Sequence, residues 1–350
     1  MRNHHTDHRS KPLVPAQSVR AWLDRLPRPI SVTGGTGFVG SHLVDTLCDA
    51  GLRPRVLVRD PSSPRWIGAR PVDWVPGSLS DRDALRALVD GAGSVIHVAG
   101  VVRASRAEEF DRANRGGTSR LVLAMRDAAP NALLVHVSSL SAVGPSAVPG
   151  GVSPDAKPHP ISDYGRSKLA AELEVRGVTG AARWTIVRPP MIYGPRDTDV
   201  FQFFRMARSG VVLVPGGDRW VTVAYVADVV RGILAAAAVE PGRVFHLGEP
   251  EPYRMADLAR ALAKAGRVRA QALPVPPAAV RIVGFAGGIV GRSGIRRIAM
   301  TPDKAREIVA RHWTADTSGS LAALGLGPVV RFADGARESW AWYRKQKWLG

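Results

Sequence analysis

The chain has 350 residues, 45% of them hydrophobic and 22% charged, with a formal net charge of +18. This is ordinary globular usage for about two domains, which excludes a largely disordered chain, a collagen-like repeat and a coiled coil. A single cysteine, Cys48, excludes an intramolecular disulfide framework and a cysteine-based zinc site.

Residues 1–28 show no clear apolar period and read as a mobile tail, in which His4, His5 and His8 are solvated rather than metal-bound. No metal site is expected. The first residues lack the apolar stretch of a secretory leader, and no apolar run reaches the roughly 18 residues of a membrane span. A cytoplasmic protein is expected on those grounds.

From Pro29 short apolar runs alternate with helical stretches. Strands are predicted at Pro29–Val32, Arg55–Val58, Val72–Val75, Ser94–Val98, Leu133–Val137 and Trp184–Val187. Helices are predicted at Phe38–Ala50 (stopped by Gly51), 81–89, 107–128 and 161–176. Strand–helix alternation of this kind predicts an α/β fold, a Rossmann-type doubly wound parallel sheet. After Arg188 the alternation fails. Residues 189–219 are rich in Pro, Gly and Phe. A strand (219–223), a helix (225–238) and a strand (243–247) are expected to return to the sheet, and 248–350 to be mostly helical. Residues 29–188 with 219–247 thus form a dinucleotide-binding domain, and 189–218 with 248–350 a smaller substrate domain.

Thr33-Gly34-Gly35-Thr36-Gly37-Phe38-Val39-Gly40 follows a strand and opens a helix. Gly34 permits the tight turn, Gly37 lets the backbone approach a pyrophosphate, and Gly40 lets the helix pack near the strand. Free N–H groups at the helix start suit a diphosphate. Arg59, 19 residues after Gly40, ends the second strand. An acid there would hold a ribose hydroxyl, whereas Arg suits a 2′-phosphate, so NADP is favoured over NAD, with the adjacent Asp60 as the competing assignment.

Tyr164 and Lys168 stand at i and i+4, on one helix face. A neighbouring ammonium favours an ionised phenol, and Tyr164 is then placed to exchange a proton with an alcohol oxygen while hydride moves on the carbon. Lys168 can also hold the nicotinamide ribose. Ser139, after the strand at Leu133–Val137, offers a hydroxyl for the substrate oxygen. Asn114 is a polar residue within a helical run, suited to anchoring backbone or water.

Together these residues resemble the extended short-chain dehydrogenase/reductase superfamily, of the NAD-dependent epimerase/dehydratase type, from about Pro29 to Leu349. The Gly-rich string resembles its cofactor loop, and His97-Val98-Ala99-Gly100 the motif after the fourth strand. Asn114, Ser139, Tyr164 and Lys168 match its catalytic positions. Val187 to Pro195, with Pro189 and Ile192, matches the segment bordering the nicotinamide. Leu57 to Ser62 and Arg311-His312-Trp313 resemble the 3β-hydroxysteroid dehydrogenase and dihydroflavonol 4-reductase branch. The resemblance implies oxidation or reduction of a secondary alcohol or ketone, and dimerisation through 107–128 and 161–176. Ser78, before Leu79, stands where relatives often have an adenine-contacting Asp. Ser139-Leu140-Ser141 lacks the acid of sugar-nucleotide dehydratases.

The substrate pocket is expected between Val101-Val102-Arg103, Ser139–Val143, Met191–Tyr193 and Phe201–Trp220. Val101, Val102, Val143, Met191, Phe201, Phe203 and Phe204 make it mostly apolar, which suits a steroid-, lipid- or polyketide-like ketone. A nucleotide-sugar epimerase or reductase is the alternative, and a non-enzymatic cofactor sensor a third reading. The charge alone would admit nucleic acid, but no recognition motif supports it. Residues 254–311 carry 12 Lys/Arg against 3 Asp/Glu, half of the excess. Within them, Val280, Ile282, Val283, Phe285, Ile289 and Val290 sit beside Arg281, Arg292, Arg296 and Arg297. That segment suits weak contact with an anionic membrane surface, against the plainer reading of a roof helix with Arg at its rim.

Overall fold

Runs such as Ile30–Thr33, Ser94–His97, Leu133–Val137 and Trp184–Arg188 are buried at every position, as central parallel strands covered on both faces must be. The computed structural model describes residues 16–177, 183–292 and 300–349. The histidines of the first eight residues, Arg296 and Arg297, and the side chains of Ile289, Val290 and Arg292 lie outside the described set. In chain order the first half comprises α1 (Ala16–Arg25), β1 (Ile30–Thr33), α2 (Phe38–Asp49), β2 (Arg55–Val58), β3 (Asp73–Pro76), α3 (Arg82–Val89) and β4 (Ser94–His97). Next come α4 (Ala107–Phe110), a π turn (Asp111–Arg115), α5 (Gly116–Ala128), β5 (Leu133–Val137), α6 (Asp163–Arg176) and β6 (Trp184–Arg188). Then follow β7 (Met191–Tyr193), α7 (Phe201–Arg208), β8 (Val211–Pro215), β9 (Trp220–Val221), β10 (Val223–Tyr225), α8 (Val226–Ala237) and β11 (Arg243–His246). The chain continues through β12 (Tyr253–Arg254), α9 (Met255–Gly266), β13 (Gln271–Val275), α10 (Pro277–Arg292), α11 (Pro302–Ile308), β14 (His312–Trp313), α12 (Ser318–Ala323) and α13 (Phe332–Lys345).

The main sheet is a seven-stranded parallel sheet in the order β11-β6-β5-β4-β1-β2-β3. The chain leaves β1 in one direction through β2 and returns to its other side with β4. The crevice at the carboxyl ends of β1 and β4 is therefore the switch point where ligands of such sheets bind. One core packs α1, α2 and α8 on the first face, and another packs α3, α5 and α6 on the second. A third core, rich in aromatics (Tyr193, Phe204, Phe332, Trp340, Tyr343), holds the C-terminal lobe together.

Four expectations are corrected. Residues 16–28 are not tail: Trp22, Leu23 and Leu26 on and after α1 are buried in the main core. A ten-residue helix is marginal alone; here the burial of three large side chains, about 1.5–3 kcal/mol each, decides. Residues 219–223 do not rejoin the sheet. β9 pairs with β12 and β14, and β10 pairs with β7. The stretch 107–128 is not one α-helix, because the π turn interrupts it around Asn114. The C-terminal part is helical but also carries β12, β13 and β14, with β13 paired to β8.

Candidate active site

The cofactor end is built from β1 and α2. Gly34 has φ +74°, and a Cβ there would meet the Ala99 backbone nitrogen at 2.6 Å. A Cβ at Gly40 would lie 2.1 Å from the Gly34 carbonyl oxygen. Only glycine satisfies both contacts. Helix α2 opens on Gly37 with no side-chain cap and no acid in its first turn. Its leading N–H groups have no cap acceptor, and Gly37, Phe38, Val39 and Gly40 line a cleft of about 1820 Å³. Arg59, Ser78, Leu79, Val98, Ala99, Gly100, Ser139, Tyr164, Lys168, Pro189 and Ile192 line the same cleft. A Cβ at Gly100 would stand 3.2 Å from Asn114 Oδ1 and 3.8 Å from Lys168 Nζ, so the missing side chain leaves a cradle there. These features fit a bound dinucleotide: an uncapped helix start for phosphates, and a cradle beside a lysine.

At the β2 end, Asp60 is spent locally. Its Oδ1 accepts from Ser62 N at 2.9 Å and Ser62 Oγ at 2.6 Å, and these bonds hold its carboxyl below the usual range. Arg59 is exposed on the cleft wall, joined there by Arg65 and Ser63. Neither arginine forms an ion pair among the described residues. Arg65, at φ +53°, was not singled out in the sequence; no local spacing marks it.

Asn114 lies behind the cleft wall rather than on it. In the π turn its amide clasps the loop after β4: Oδ1 accepts from Val101 N at 2.8 Å, and Nδ2 donates to Val101 O at 3.0 Å and to Ser167 Oγ at 2.9 Å. A buried chain runs beside it. Ala99 N donates to Thr33 Oγ1, which meets His97 Nδ1 at 2.6 Å; His97 Nε2 meets Thr118 Oγ1 at 2.9 Å, and Thr118 donates to the Asn114 carbonyl at 2.7 Å. Thr33, His97 and Thr118 thereby tie the ends of β1 and β4 to α5.

Tyr164 sits in the first turn of α6, its ring 5.9 Å from that of Phe110. Ser139 lies beside the phenol and favours its ionised form, and its Oγ accepts from Ser141 N at 3.1 Å. Lys168 is buried, and its Nζ donates to the Val137 carbonyl at 2.8 Å. Here burial opposes the electrostatic expectation. Burial pushes the phenol up, outweighing Ser139. The same burial lowers Lys168 to about 8 despite Glu172 one turn on. Tyr164 is thus a neutral phenol, a proton donor. Glu172 is itself fully buried in a two-bond pair with Arg188 (2.8 and 2.7 Å) and accepts from Ser138 Oγ at 2.6 Å.

Two carboxylates reach α6 from α11, 139 or more residues away. Asp303 accepts from Asp163 N at 2.5 Å and from Tyr164 N at 3.1 Å. Glu307 accepts from Ser162 Oγ at 2.7 Å, while Ser162 caps Gly165 N at 2.9 Å. Ser139-Leu140-Ser141 carries no acid, but acids from elsewhere line the cleft, already committed to these bonds. No sequence period could reveal them, since the contact is made only by the lobes meeting.

On the substrate side Val101, Val102, Arg103, Met191 and Phe203 line the cleft as expected, with Met206, Trp220, Met255, Met300, Ile308 and Trp313. Val143, Tyr193, Phe201 and Phe204 do not; they are buried in the cores. Arg103 and Asp199 form an ion pair of 2.5 Å across the cleft edge. Among the described residues no group of His, Cys, Asp and Glu is placed to hold a metal ion.

The family model for the NAD dependent epimerase/dehydratase family matches residues 30–248. The chain is 33% identical over 329 residues to a ceramide reductase of Caulobacter vibrioides, covering 91% of this chain and 96% of that protein. It is 30% identical over 276 residues to a 3 beta-hydroxysteroid dehydrogenase/Delta 5-->4-isomerase of Mycobacterium tuberculosis, covering 73% and 74%. In fold it is similar to the dTDP-glucose 4,6-dehydratase DesIV of Streptomyces venezuelae, a structure with NAD bound. That match has a TM-score of 0.73 at 23% identity and covers 91% and 98% of the two chains.

Proposed function

Because the chain belongs to the NAD dependent epimerase/dehydratase family, an oxidoreductase-type family with reductase and dehydrogenase members, we propose that it reduces a ketone to a secondary alcohol on a long-chain, lipid-like substrate, using NADPH. The observation that carries this is the convergence of a neutral Tyr164 phenol, Ser139 and Lys168 at one end of a cleft whose far walls set large apolar side chains such as Phe203, Met206, Trp220 and Met255 among polar ones such as Gln202 and Arg205. The likeness to a ceramide reductase over nearly the whole chain supports the lipid class.

A bound nicotinamide supplies hydride in such chemistry. The α2 N-terminus and the glycine turn would hold the diphosphate, Lys168 the nicotinamide ribose, and Arg59 with Arg65 a 2′-phosphate, Asp60 being turned into its own loop. Ser139 donates a hydrogen bond to the ketone oxygen and fixes its position. Tyr164 gives that oxygen its phenolic proton as the carbon is reduced. Asn114 holds the Val101 loop against this end, and Val102, Met191 and Phe203 exclude water beside it.

NADPH consumption against a panel of long-chain keto-lipids, sterol ketones and nucleotide sugars tests the reading. Keto-lipids are expected to turn over and nucleotide sugars not to. Tyr164→Phe should lower turnover about 100- to 10,000-fold while cofactor binding, followed by NADPH fluorescence, persists. Full activity in that variant would end the mechanism, and turnover of nucleotide sugars alone would end the substrate class.

A further inference from the structure

Among its described residues, helix α10 turns Val280, Gly284 and Gly288 inward and Ile282, Val283 and Phe285 outward. Val280, Gly284 and Gly288 stand at i, i+4 and i+8 and lie on α11. A Cβ at Gly284 would meet Ala305 Cβ at 2.6 Å, and one at Gly288 would meet Pro302 Cγ at 2.7 Å. On the outer side Ile282 and Phe285 are 68% and 67% exposed, and Val283 is 57% exposed. An ordinary surface helix has the reverse arrangement. Strand β13, which leads into α10, exposes Leu273 beside its register partner Leu213 on β8.

Charge selects what covers this face. Residues 254–311 carry 12 Lys/Arg against 3 Asp/Glu. Arg281 adjoins Ile282, and Arg281 and Arg311 each lie close enough to Arg219 to repel it; burial and this repulsion together lower Arg219. None of the three forms an ion pair among the described residues. A second copy packed on the same face would set these cations against themselves. An anionic lipid surface would neutralise them while accepting the apolar side chains.

We propose that α10 with the β13–β8 edge docks on an anionic bilayer, Ile282 and Phe285 entering the acyl boundary and the exposed Arg281 and Arg311 meeting the headgroups, while Arg219 stays bonded to the Gly216 and Val309 carbonyls. No helix among the described residues is long and apolar enough to cross a membrane, so the contact is peripheral. It places the cleft close to the lipid, because α11, on which α10 lies, lines that cleft through Asp303, Lys304 and Ile308. The docking stands independently of the reaction assigned above.

The test is co-sedimentation of the full chain with vesicles of phosphatidylcholine alone or doped with phosphatidylglycerol, without substrate. Binding is expected to the doped vesicles, weakened by salt, and lowered about ten-fold or more in the double variant Ile282→Glu with Phe285→Glu. NADPH binding by that variant checks its fold. Arg281→Glu, a milder change, is expected to weaken binding to doped vesicles alone. Failure of the wild type to bind doped vesicles overturns the proposal, as does equal binding by the double variant. Light scattering showing a lipid-free dimer that the double variant dissociates would assign the face to a second copy and also overturn it.

Discussion

Thr118 Oγ1 spends its proton on the Asn114 carbonyl, so toward His97 it is an acceptor. His97 must then carry its proton on Nε2, and its Nδ1 accepts from Thr33, whose own oxygen takes the Ala99 N–H. Burial and the nearby Lys168 lower this imidazole to about 3, which keeps the arrangement neutral. Lys168 is the titrating member of the site. Its ammonium, at about 8, is charged below that pH and neutral above it. Affinity of the free enzyme for NADPH is therefore expected to weaken several-fold as pH rises through about 8, well before an ordinary lysine would titrate. A titration of NADPH fluorescence that stays flat across this range would remove the lysine from cofactor binding. The glycine turn, Tyr164 and Lys168 were legible because each motif is local in the chain. The neutrality of Tyr164 was not, because burial is a property of the fold, and it outweighed the charge argument that adjacency suggested.

At the scale of elements, α6 owes part of its N-terminal capping to another lobe. Ser162 caps Gly165 N from the same segment, and Asp303 closes two further N–H groups from α11. Asp303→Ala is expected to cost about 0.5–2 kcal/mol, by analogy with other lost caps, and to lower turnover more than NADPH affinity, because it frees the turn that carries Tyr164. Denaturant unfolding with steady-state kinetics checks both, and unchanged turnover would make the contact purely structural. Helix α1 was missed for a different reason. Val19, Trp22, Leu23 and Leu26 do follow the helical period, but the set is short and charged residues interleave it. What fixes α1 is α8, more than 200 residues later. The π turn was equally invisible, since one extra residue leaves composition and approximate period unchanged. Its position is informative all the same, because it holds Asn114 where the amide can grip both the N–H and the C=O of Val101.

Over the whole molecule, strand–helix alternation was enough to read the first six strands and their parallel, doubly wound arrangement. It could not order the C-terminal lobe, where two- and three-residue strands take partners from distant segments. Across that divide the lobes are joined at the first turn of α6. The carboxylate of Asp303 belongs to one side of the cleft, and the amides of Asp163 and Tyr164 to the other. Widening the cleft at this point must expose those amides. Their exchange with solvent deuterium therefore acts as a counter of opening events placed beside the Tyr164 phenol. In the protein without ligand both amides are expected to exchange faster than the interior of α6, and to slow when NADPH and a substrate analogue span the lobes. Mass spectrometry of the peptide containing Tyr164 reads this directly, and equal protection with and without ligand would mean that the lobes stay closed throughout. The same pair of bonds that sets the catalytic turn would then report how often the site admits a molecule from outside.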